Sequence, residues 1–290
     1  MNKLIVVTSL VIAAAAHAAG PVILFEQKVS QFREAAASAS SALPATEVDL
    51  GDSSGVSKLA EATVIVAIGQ KALQLALDKA PNVPTVFCLV LGATRAQLSD
   101  TVTGVPFEPD PITSVARLRE VAPAAKRFGM IYNAAASDWF VSEAVRAAKS
   151  AGLTLITRMA TSPQEASDAA KVMLQQAEVL WLPPDPKLFP KDLVLFFLTA
   201  SAERSIPVIG FLDSMAQAGA LASVSTDYAE AGKQAGRLAA EIAGRPEGRR
   251  LPVPPPAWAA GRLILNLKTA ETLHIKPTAA AQAQAAQILK

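Results

Sequence analysis

The sequence predicts an α/β protein with two similar lobes, each built on a parallel β-sheet and joined to the other by several crossings of the chain. From residue 22 onward, short apolar runs alternate with amphipathic stretches, which is typical of strands and helices in parallel α/β layers. This alternation pauses at the proline-rich residues 106–111 and then restarts with a similar rhythm. Two lobes explain the pause better than one sheet of ten strands.

The apolar runs define the strands, and the stretches between them define the helices. In the first lobe we predict strands at residues 22–25, 47–50, 63–68, 85–91 and 101–105. In the second lobe we predict them at 127–132, 154–159, 179–182, 208–211 and 222–225, with a late strand at 263–267. The predicted helices are 28–42, 70–79, 112–121, 139–150, 163–176, 188–204 and 228–243.

Turn residues mark several helix starts. Ser162 stands before Pro163, which suits the first position of a helix. Asp227 can accept a hydrogen bond from the first free backbone N–H groups of the helix at 228–243, and Ser137 or Asp138 can do so for the helix at 139–150. These residues therefore predict where the helices begin.

The two proline-rich stretches suggest how the lobes are connected. A second such stretch, at 251–256, follows the last long helix. A hinge of two or three crossings lets two lobes open and close. We predict the following parts: a signal peptide at 1–18, an N-terminal lobe at 19–108, a C-terminal lobe at 109–250, a crossover returning towards the N-terminal lobe at 251–276, and an Ala- and Gln-rich tail at 277–290 that forms a frayed helix.

Residues 1–18 have the features of a secretory signal peptide. Lys3 precedes an almost unbroken apolar run at 4–16, and Ala16-His17-Ala18 fits the small-residue cleavage rule. The run is too short to span a bilayer. We therefore expect a periplasmic protein; the alternative is an uncleaved N-terminal anchor.

Composition and charge exclude several classes of function. Half of the residues are apolar and the net charge is only +2, with Lys and Arg scattered along the chain, so nucleic-acid binding is not expected. Cys88 is the one cysteine and lies in an apolar run, which favours a buried structural thiol and rules out an internal disulfide. His274 is the one histidine beyond the signal peptide, and no metal-ligand spacing or nucleotide-binding motif occurs. We expect no metal and no cofactor.

One stretch matches a catalytic motif. Residues 51–55 read Gly-Asp-Ser-Ser-Gly, which fits the G-x-S-x-G pattern around a nucleophilic serine, here Ser53. The preceding strand is short and half polar, whereas such a serine follows a buried strand. His274 is the sole candidate base, and no acid is placed to orient it. A surface loop is the favoured interpretation, and a serine hydrolase is a remote alternative.

The loops after the predicted strands supply the polar groups of a binding site. In open α/β sheets, ligands bind beyond the carboxyl ends of the strands, beside helix N-termini. Here those ends are 26–27, 69–70, 91–92, 132–133, 183–185, 212–214 and 225–227. They offer amides, hydroxyls, acids and one aromatic ring, without a group that shuttles protons. This inventory suits holding a small polar solute better than transforming it.

Several segments resemble a known family of transport proteins. They are Trp-Leu-Pro-Pro-Asp at 181–185, Pro-Val-Ile-Gly-Phe at 207–211, the stretch 219–228 with Gly232, Ile-Leu-Asn-Leu-Lys-Thr-Ala at 264–270, and the strand and turn at 64–69. Together they resemble the substrate-binding proteins of bacterial ATP-binding cassette importers, in particular the tryptophan/tyrosine-type group. The resemblance implies the type I periplasmic binding protein fold, with two Rossmann-like lobes joined by a multi-strand hinge, and a membrane permease and an ATPase as partners.

The resemblance also implies the site, residue by residue. Carried over by position, the ligand-binding residues are Gln27, Gly69 and Gln70 in the first lobe and Tyr132, Asn133, Asp185, Asp213 and Ser225 in the second. The turn at 69–70 departs from the Gly-Thr that the family usually has there, and the link from 94 to 101 is short. Because both departures fall where a ligand would touch the first lobe, an aromatic amino acid is not carried over as the substrate.

We therefore predict an extracytoplasmic, monomeric protein that is not an enzyme. It binds a small polar solute between its lobes and delivers it to an importer, and an amino-acid-like solute is one candidate. The alternative from another class is an extracytoplasmic ligand sensor that acts on a signalling partner, which the same fold would serve.

Overall fold

The computed structural model describes residues 20–93 and 97–290, and within them two separate β-sheets form. The predicted signal peptide at 1–18 lies outside the described residues, so it stays a prediction. Five strands form the first sheet: Val22–Phe25 (β1), Thr46–Asp49 (β2), Ile65–Ile68 (β3), Thr85–Val90 (β4) and Val102–Pro106 (β5). Their order is β2-β1-β3-β4-β5, and every pair is parallel.

The second sheet contains seven of the described strands: Arg127–Tyr132 (β6), Thr154–Met159 (β7), Val179–Trp181 (β8), Val208–Gly210 (β9), Ala222–Thr226 (β10), Gly261–Asn266 (β11) and Ala285–Leu289 (β12). Their order is β12-β11-β10-β9-β8-β6-β7. The pairs are parallel except β10 with β11, which is antiparallel. Every residue of β1, β3, β4, β8 and β9 is buried, as expected for parallel strands covered on both faces.

The helices lie between the strands. They are Ser30–Ala42 (α1), Ser53–Ser57 (α2), Gln70–Lys79 (α3), Pro111–Val121 (α4), Ala134–Ser150 (α5), Pro163–Gln176 (α6), Lys191–Glu203 (α7), Asp213–Gln217 (α8), Tyr228–Ala243 (α9), Leu267–Thr272 (α10) and Ala279–Gln284 (α11). Ser162 and Asp227 cap α6 and α9 as predicted. The predicted cap of α5 is wrong: Asn133 accepts from the Ala135 N–H, and the helix begins five residues earlier than expected.

Helix α9 packs in the first lobe, which corrects the predicted second lobe at 109–250. Ala231, Ala235 and Ala239 lie in one core cluster with Ala35 and Ala39 of α1. The approach is so close that a Cβ at residue 232 would collide with the Ala35 carbonyl oxygen, so the crossing of α1 and α9 needs a glycine there. The alanine stripe predicts that one face of α9 is buried, but the pattern does not say against which sheet.

The last third of the chain differs from the prediction in two further ways. Residues 253–259 contact the first lobe, where the Val253 and Ala257 N–H groups donate to the carbonyls of Asp100 and Gly104. The chain already lies in that lobe in α9, however, and from residue 261 it forms β11 of the second sheet. The tail at 277–290 is not a frayed helix, since it forms α11 and then β12, which pairs with β11. Fully buried Ala281 anchors α11 to the second-lobe core.

Three crossings therefore join the lobes: residues 106–111, 226–228 and 244–261, which we call the hinge. They are bonded to one another. The Asp110 and Asp227 N–H groups donate to the carbonyls of Ala259 (2.9 Å) and Ala260 (2.9 Å), and the Thr226 hydroxyl donates to the Phe107 carbonyl. Of the helices in the described ranges, none is long and apolar enough to cross a membrane.

Candidate functional site

The carboxyl ends of the two sheets meet beside the hinge. Gly92 follows β4 of the first lobe and has a φ of +68°. A Cβ built on it would lie 2.9 Å from the carbonyl oxygen of Ala136, in the first turn of α5 of the second lobe. The lobes are therefore in contact here, and polar side chains near this contact are shielded from water.

Glu108 is a buried acid in the first hinge crossing. Its side chain is 2% exposed, and Oε1 accepts a hydrogen bond from the Gly92 N–H at 2.9 Å. Oε2 is buried and has no hydrogen-bond partner in the described part of the chain. Burial raises the pKa of this carboxyl to about 7, and the negative charge of Asp185 contributes in the same direction.

Asp185 has the same arrangement in the loop after β8. It is 3% exposed, and its Oδ1 accepts from the N–H groups of Lys187 (3.1 Å) and Leu188 (3.0 Å), which shapes the turn. Its Oδ2 is buried and unpartnered among the described residues. One carboxylate oxygen thus braces the loop while the other is left for a different partner.

Ser137 contributes a third oxygen of this kind. Its hydroxyl is buried, and no residue in the described ranges hydrogen-bonds to it. The Phe140 ring packs edge-on against Trp181, the last residue of β8, with ring centroids 5.5 Å apart. Since α5 begins at the carboxyl end of the sheet, Ser137 lies one turn closer to that end than Phe140. It therefore faces the region beyond β8, where Asp185 follows.

A second polar cluster lies on the neighbouring strands and is internally paired. The Ser225 hydroxyl donates to Asp213 Oδ1 at 2.5 Å, and Arg262 Nη2 lies 3.5 Å from Asp213 Oδ2. Ser225 and Arg262 are direct neighbours across β10 and β11. Asp213 is about one-third exposed, so this cluster borders water. Arg262 keeps a buried Nε without an acceptor among the described residues.

Aromatic rings flank both clusters. Tyr228, the first residue of α9, lies 6.2 Å from the ring of Phe107 in the hinge. Burial raises the pKa of the Tyr228 hydroxyl, and the charges of Asp213 and Glu34 raise it further. Trp139 packs against the first-lobe core and against the ring of Trp258 at 4.6 Å, so it contacts both sides of the hinge region.

The structure brings together only some of the residues predicted for the site. Asp213 and Ser225 are bonded to each other, and Asp185 is buried near the lobe contact. Asn133 is engaged in capping α5, and Tyr132 packs on the second-lobe core. The sequence analysis did not predict Glu108 or Arg262 as site residues, and it considered Ser137 only as a helix cap and not as a buried polar group.

The predicted first-lobe residues lie at the carboxyl ends of β1 and β3. The Gln27 N–H donates to Asp49 Oδ2 at 2.8 Å, and the side chain is exposed. Gly69 has a φ of +87° and caps α3 beneath the ring of Phe32, and Gln70 is exposed at the first position of α3. No hydrogen bond or ion pair given for the described residues links these three to the second lobe.

The catalytic alternative gains nothing from the geometry. Ser53 is exposed at the start of α2, where Asp52 Oδ1 accepts from the Ser54 N–H. His274 lies after α10 of the second lobe, and no hydrogen bond in the described structure joins it to Ser53. The buried Cys88 thiol has its pKa raised by desolvation, as a structural thiol does. The described ranges hold no group of three or more metal-ligating side chains.

Two mostly parallel sheets, three crossings between them and polar side chains at the facing strand ends define the type I periplasmic binding protein fold, as the sequence predicts. A model of the family "ABC transporter substrate binding protein" matches residues 54–289. The chain belongs to this family, and the resemblance stated from the sequence is confirmed.

Individual relatives agree with this assignment. The tyrosine-binding protein of Clostridioides difficile (strain R20291) is 24% identical over 227 residues, which cover 75% of this chain and 64% of that protein. A domain from Streptococcus pneumonia in complex with L-Trp has a TM-score of 0.63 at 20% identity, covering 93% of this chain and 99% of its own. The ligand-free, open structure of a substrate-binding protein with adhesive properties from Clostridium difficile has a TM-score of 0.67 at 18% identity, covering 94% and 99%.

Proposed function

We propose that this protein is the extracytoplasmic solute-binding component of an ATP-binding cassette importer and that it closes its lobes on a small solute of amino-acid type. The observation that carries the proposal is the set of buried, unpartnered oxygens of Glu108, Asp185 and Ser137 where the lobes meet. Buried polar groups are nearly always hydrogen-bonded in folded proteins. A solute between the lobes supplies the missing partners.

Because of the hinge, solute binding can change how the two lobes are arranged. A solute that touches both lobes binds the closed form better than the open form, and only this difference in affinity shifts the population towards closure. The closed form is then what a permease recognises. Family membership supports the partnership with a permease and an ATPase, and the apolar run at 4–16 supports export through a signal peptide to the periplasm. We infer a monomer.

Our site assignment has two levels. The polar contacts come from Asp185, Asp213 and Ser225, together with Glu108, Ser137 and Arg262. The apolar walls come from the rings of Phe107, Tyr228 and Trp139. Gln27, Gly69, Gln70, Tyr132 and Asn133 stay candidates for contacts further along the strand ends. The relatives named for tyrosine and in complex with L-Trp support an amino acid as the class of solute. The family model and the tyrosine-binding relative are both named for binding, so we propose binding without turnover.

The test is a thermal-shift screen of the purified mature protein against the standard amino acids, short peptides, sugars and purines. A solute that binds only the folded form raises the melting midpoint, and the midpoint increases further with solute concentration. We expect stabilisation by one or a few amino acids, with the solute recovered unchanged after incubation. Stabilisation by none of these classes, or chemical conversion of the solute that binds, contradicts the proposal.

A further inference from the structure

Three oxygen atoms from three different segments are buried and unpartnered where the lobes meet. Glu108 Oε2 comes from the hinge, Asp185 Oδ2 from the loop after β8, and Ser137 Oγ from the first turns of α5. Each parent side chain is 2–3% exposed. In both acids the other carboxylate oxygen is already held by backbone N–H groups, so the side chains are fixed in place and only these oxygens remain available.

The number and type of these atoms suit a positively charged group with three hydrogen-bond donors. A primary ammonium group has three N–H donors and no acceptor. Two carboxylate oxygens and one hydroxyl oxygen accept three such hydrogen bonds, and the positive charge balances the acids. A hydroxyl or a neutral amide would leave two carboxylate charges buried without compensation, which is strongly unfavourable.

We propose that Glu108, Asp185 and Ser137 form a subsite for a primary ammonium group of the solute, and that this group replaces a proton held by Glu108 in the empty protein. The inference rests on the proposed function and deepens it. It makes a protonated amine the part of the solute that permits closure, since two buried carboxylates, one acted on by the charge of the other, need a positive charge or a proton.

The surrounding charges are consistent with such an exchange. Asp185 is the charged side chain whose field acts on Glu108, and burial together with this field places the pKa of the Glu108 carboxyl at about 7. Asp110, two residues away, is engaged by the N–H groups of Ile112 and Thr113 at the start of α4. Asp213, the first residue of α8, and Arg262 of β11 pair with each other. Arg117 of α4 lies beside Gly261 of the hinge, but no cation of the described residues is among the charges that shift the pKa of Glu108.

Competition between a proton and an amine predicts the direction of the pH effect. Below the pKa of Glu108 the proton must leave before the amine binds, so affinity for the amine falls as the pH falls. With a pKa near 7, we expect the dissociation constant to rise about tenfold between pH 8 and pH 6. Free amino acids keep their α-amine protonated over this range, so the solute does not account for the change.

The experiment uses the amino acid that gives the largest stabilisation in the screen, measured by isothermal titration calorimetry at pH 6, 7 and 8. The matched probe is the same molecule without its amine, for example 3-(4-hydroxyphenyl)propanoate for tyrosine or 3-(indol-3-yl)propanoate for tryptophan. The variant is Glu108→Gln, which keeps an acceptor for the Gly92 N–H. Glu61→Gln, at an exposed glutamate of the first lobe, is the control.

We expect the amine-bearing probe to bind with the tenfold pH dependence and to release about one proton at pH 6. The deaminated probe should bind at least a hundredfold more weakly. Glu108→Gln should abolish the pH dependence, while Glu61→Gln keeps it. Equal binding of the deaminated probe, or a dissociation constant that does not change with pH, overturns the subsite and leaves solute binding intact.

A measurement without any solute separates the two proposals further. The free energy of unfolding of the empty protein should fall between pH 5 and pH 8 in the native sequence and should be less pH-dependent in Glu108→Gln. If both proteins give the same profile, the proton on Glu108 is refuted whatever the solute. If no solute of any class stabilises the protein, solute binding itself fails, and the subsite fails with it.

Discussion

The two polar clusters at the facing strand ends differ in how their hydrogen bonds are satisfied. Asp213, Ser225 and Arg262 bond to one another and border water. Glu108, Asp185 and Ser137 are buried, and each keeps one oxygen without a partner in the described structure. The first cluster is held together without a solute, and among its described groups Arg262 Nε is left without an acceptor. The second keeps three oxygens without partners in the described structure, and we propose that a solute gains most of its binding energy there.

The largest expected effect concerns Asp185. Asp185→Asn keeps an acceptor for the Lys187 and Leu188 N–H groups and removes only the charge. We expect the affinity for an amine-bearing solute to fall by between about tenfold and a hundredfold, because a hydrogen bond to a charged group contributes roughly 1.5–3 kcal/mol. Titration calorimetry at pH 8 measures it. A loss below threefold would mean that the buried carboxylate does not contact the solute.

Glu108 should affect stability as well as binding. Its carboxyl pKa is about 7 in the folded protein, above the ordinary value of 4.5, so the folded state retains a proton that the unfolded state has released. The stability contributed by the protonated form is therefore complete below pH 4.5 and is lost as the pH rises through 7. Since one pKa unit corresponds to roughly 1.4 kcal/mol, Glu108→Gln should stabilise the empty protein at pH 8 by up to a few kcal/mol.

The measurement is urea denaturation of the native sequence and the variant at pH 4.5 and at pH 8. At pH 4.5 the two proteins should differ little, because the native carboxyl is then protonated and resembles the amide. A variant that is less stable than the native protein at pH 8 would contradict the cause assigned to the raised pKa.

Ser137 offers a smaller test within the incomplete cluster. Ser137→Ala removes one acceptor without changing charge, so we expect a loss of about threefold to tenfold in affinity, with the pH dependence retained. The stability of the empty protein should change little, because no protein group loses a hydrogen bond. Calorimetry and thermal unfolding on the same sample check both statements. Unchanged affinity would remove Ser137 from the subsite.

The paired cluster should give the smallest effect. Arg262 and Asp213 are each about one-third exposed and lie 3.5 Å apart, and such pairs contribute about 1 kcal/mol or less. Arg262→Gln should therefore reduce solute affinity only a few-fold, with a dependence on salt concentration that the Asp185→Asn variant lacks. An effect larger than that of Asp185→Asn would reverse the comparison between the clusters and make Arg262 the principal contact.

The sequence predicts most of the strands because most are short apolar runs, and a buried parallel strand needs apolar residues on both faces. The lobe to which α9 belongs could not be predicted, since a stripe of alanines shows that a face is buried but not which surface covers it. In the same way, the tail at 277–290 lacks a strong apolar run, and its strand β12 is defined by pairing with β11 at the edge of the second sheet.

The site residues likewise divide into those that the sequence predicts and those that only the packing reveals. The loops that hold Asp213 and Ser225 were predicted together because parallel strands present their carboxyl ends at one edge of a sheet, and the family resemblance selected these two residues. Arg262 was missed because β11 runs antiparallel, so its first residues, and not its last, reach that edge. Glu108 was missed because it is a single acid in a proline-rich crossing. It belongs to no periodic apolar pattern, and such a residue is typical of a linker. Only the packing of Gly92 against the second lobe shows that it is buried.

A crystal structure of the protein with the stabilising amino acid tests the central claim most directly. We predict that the solute lies between the lobes and that its amine nitrogen is within about 2.7–3.2 Å of Glu108 Oε2 and Asp185 Oδ2. A solute bound elsewhere, with these two oxygens still unpartnered, would contradict the account.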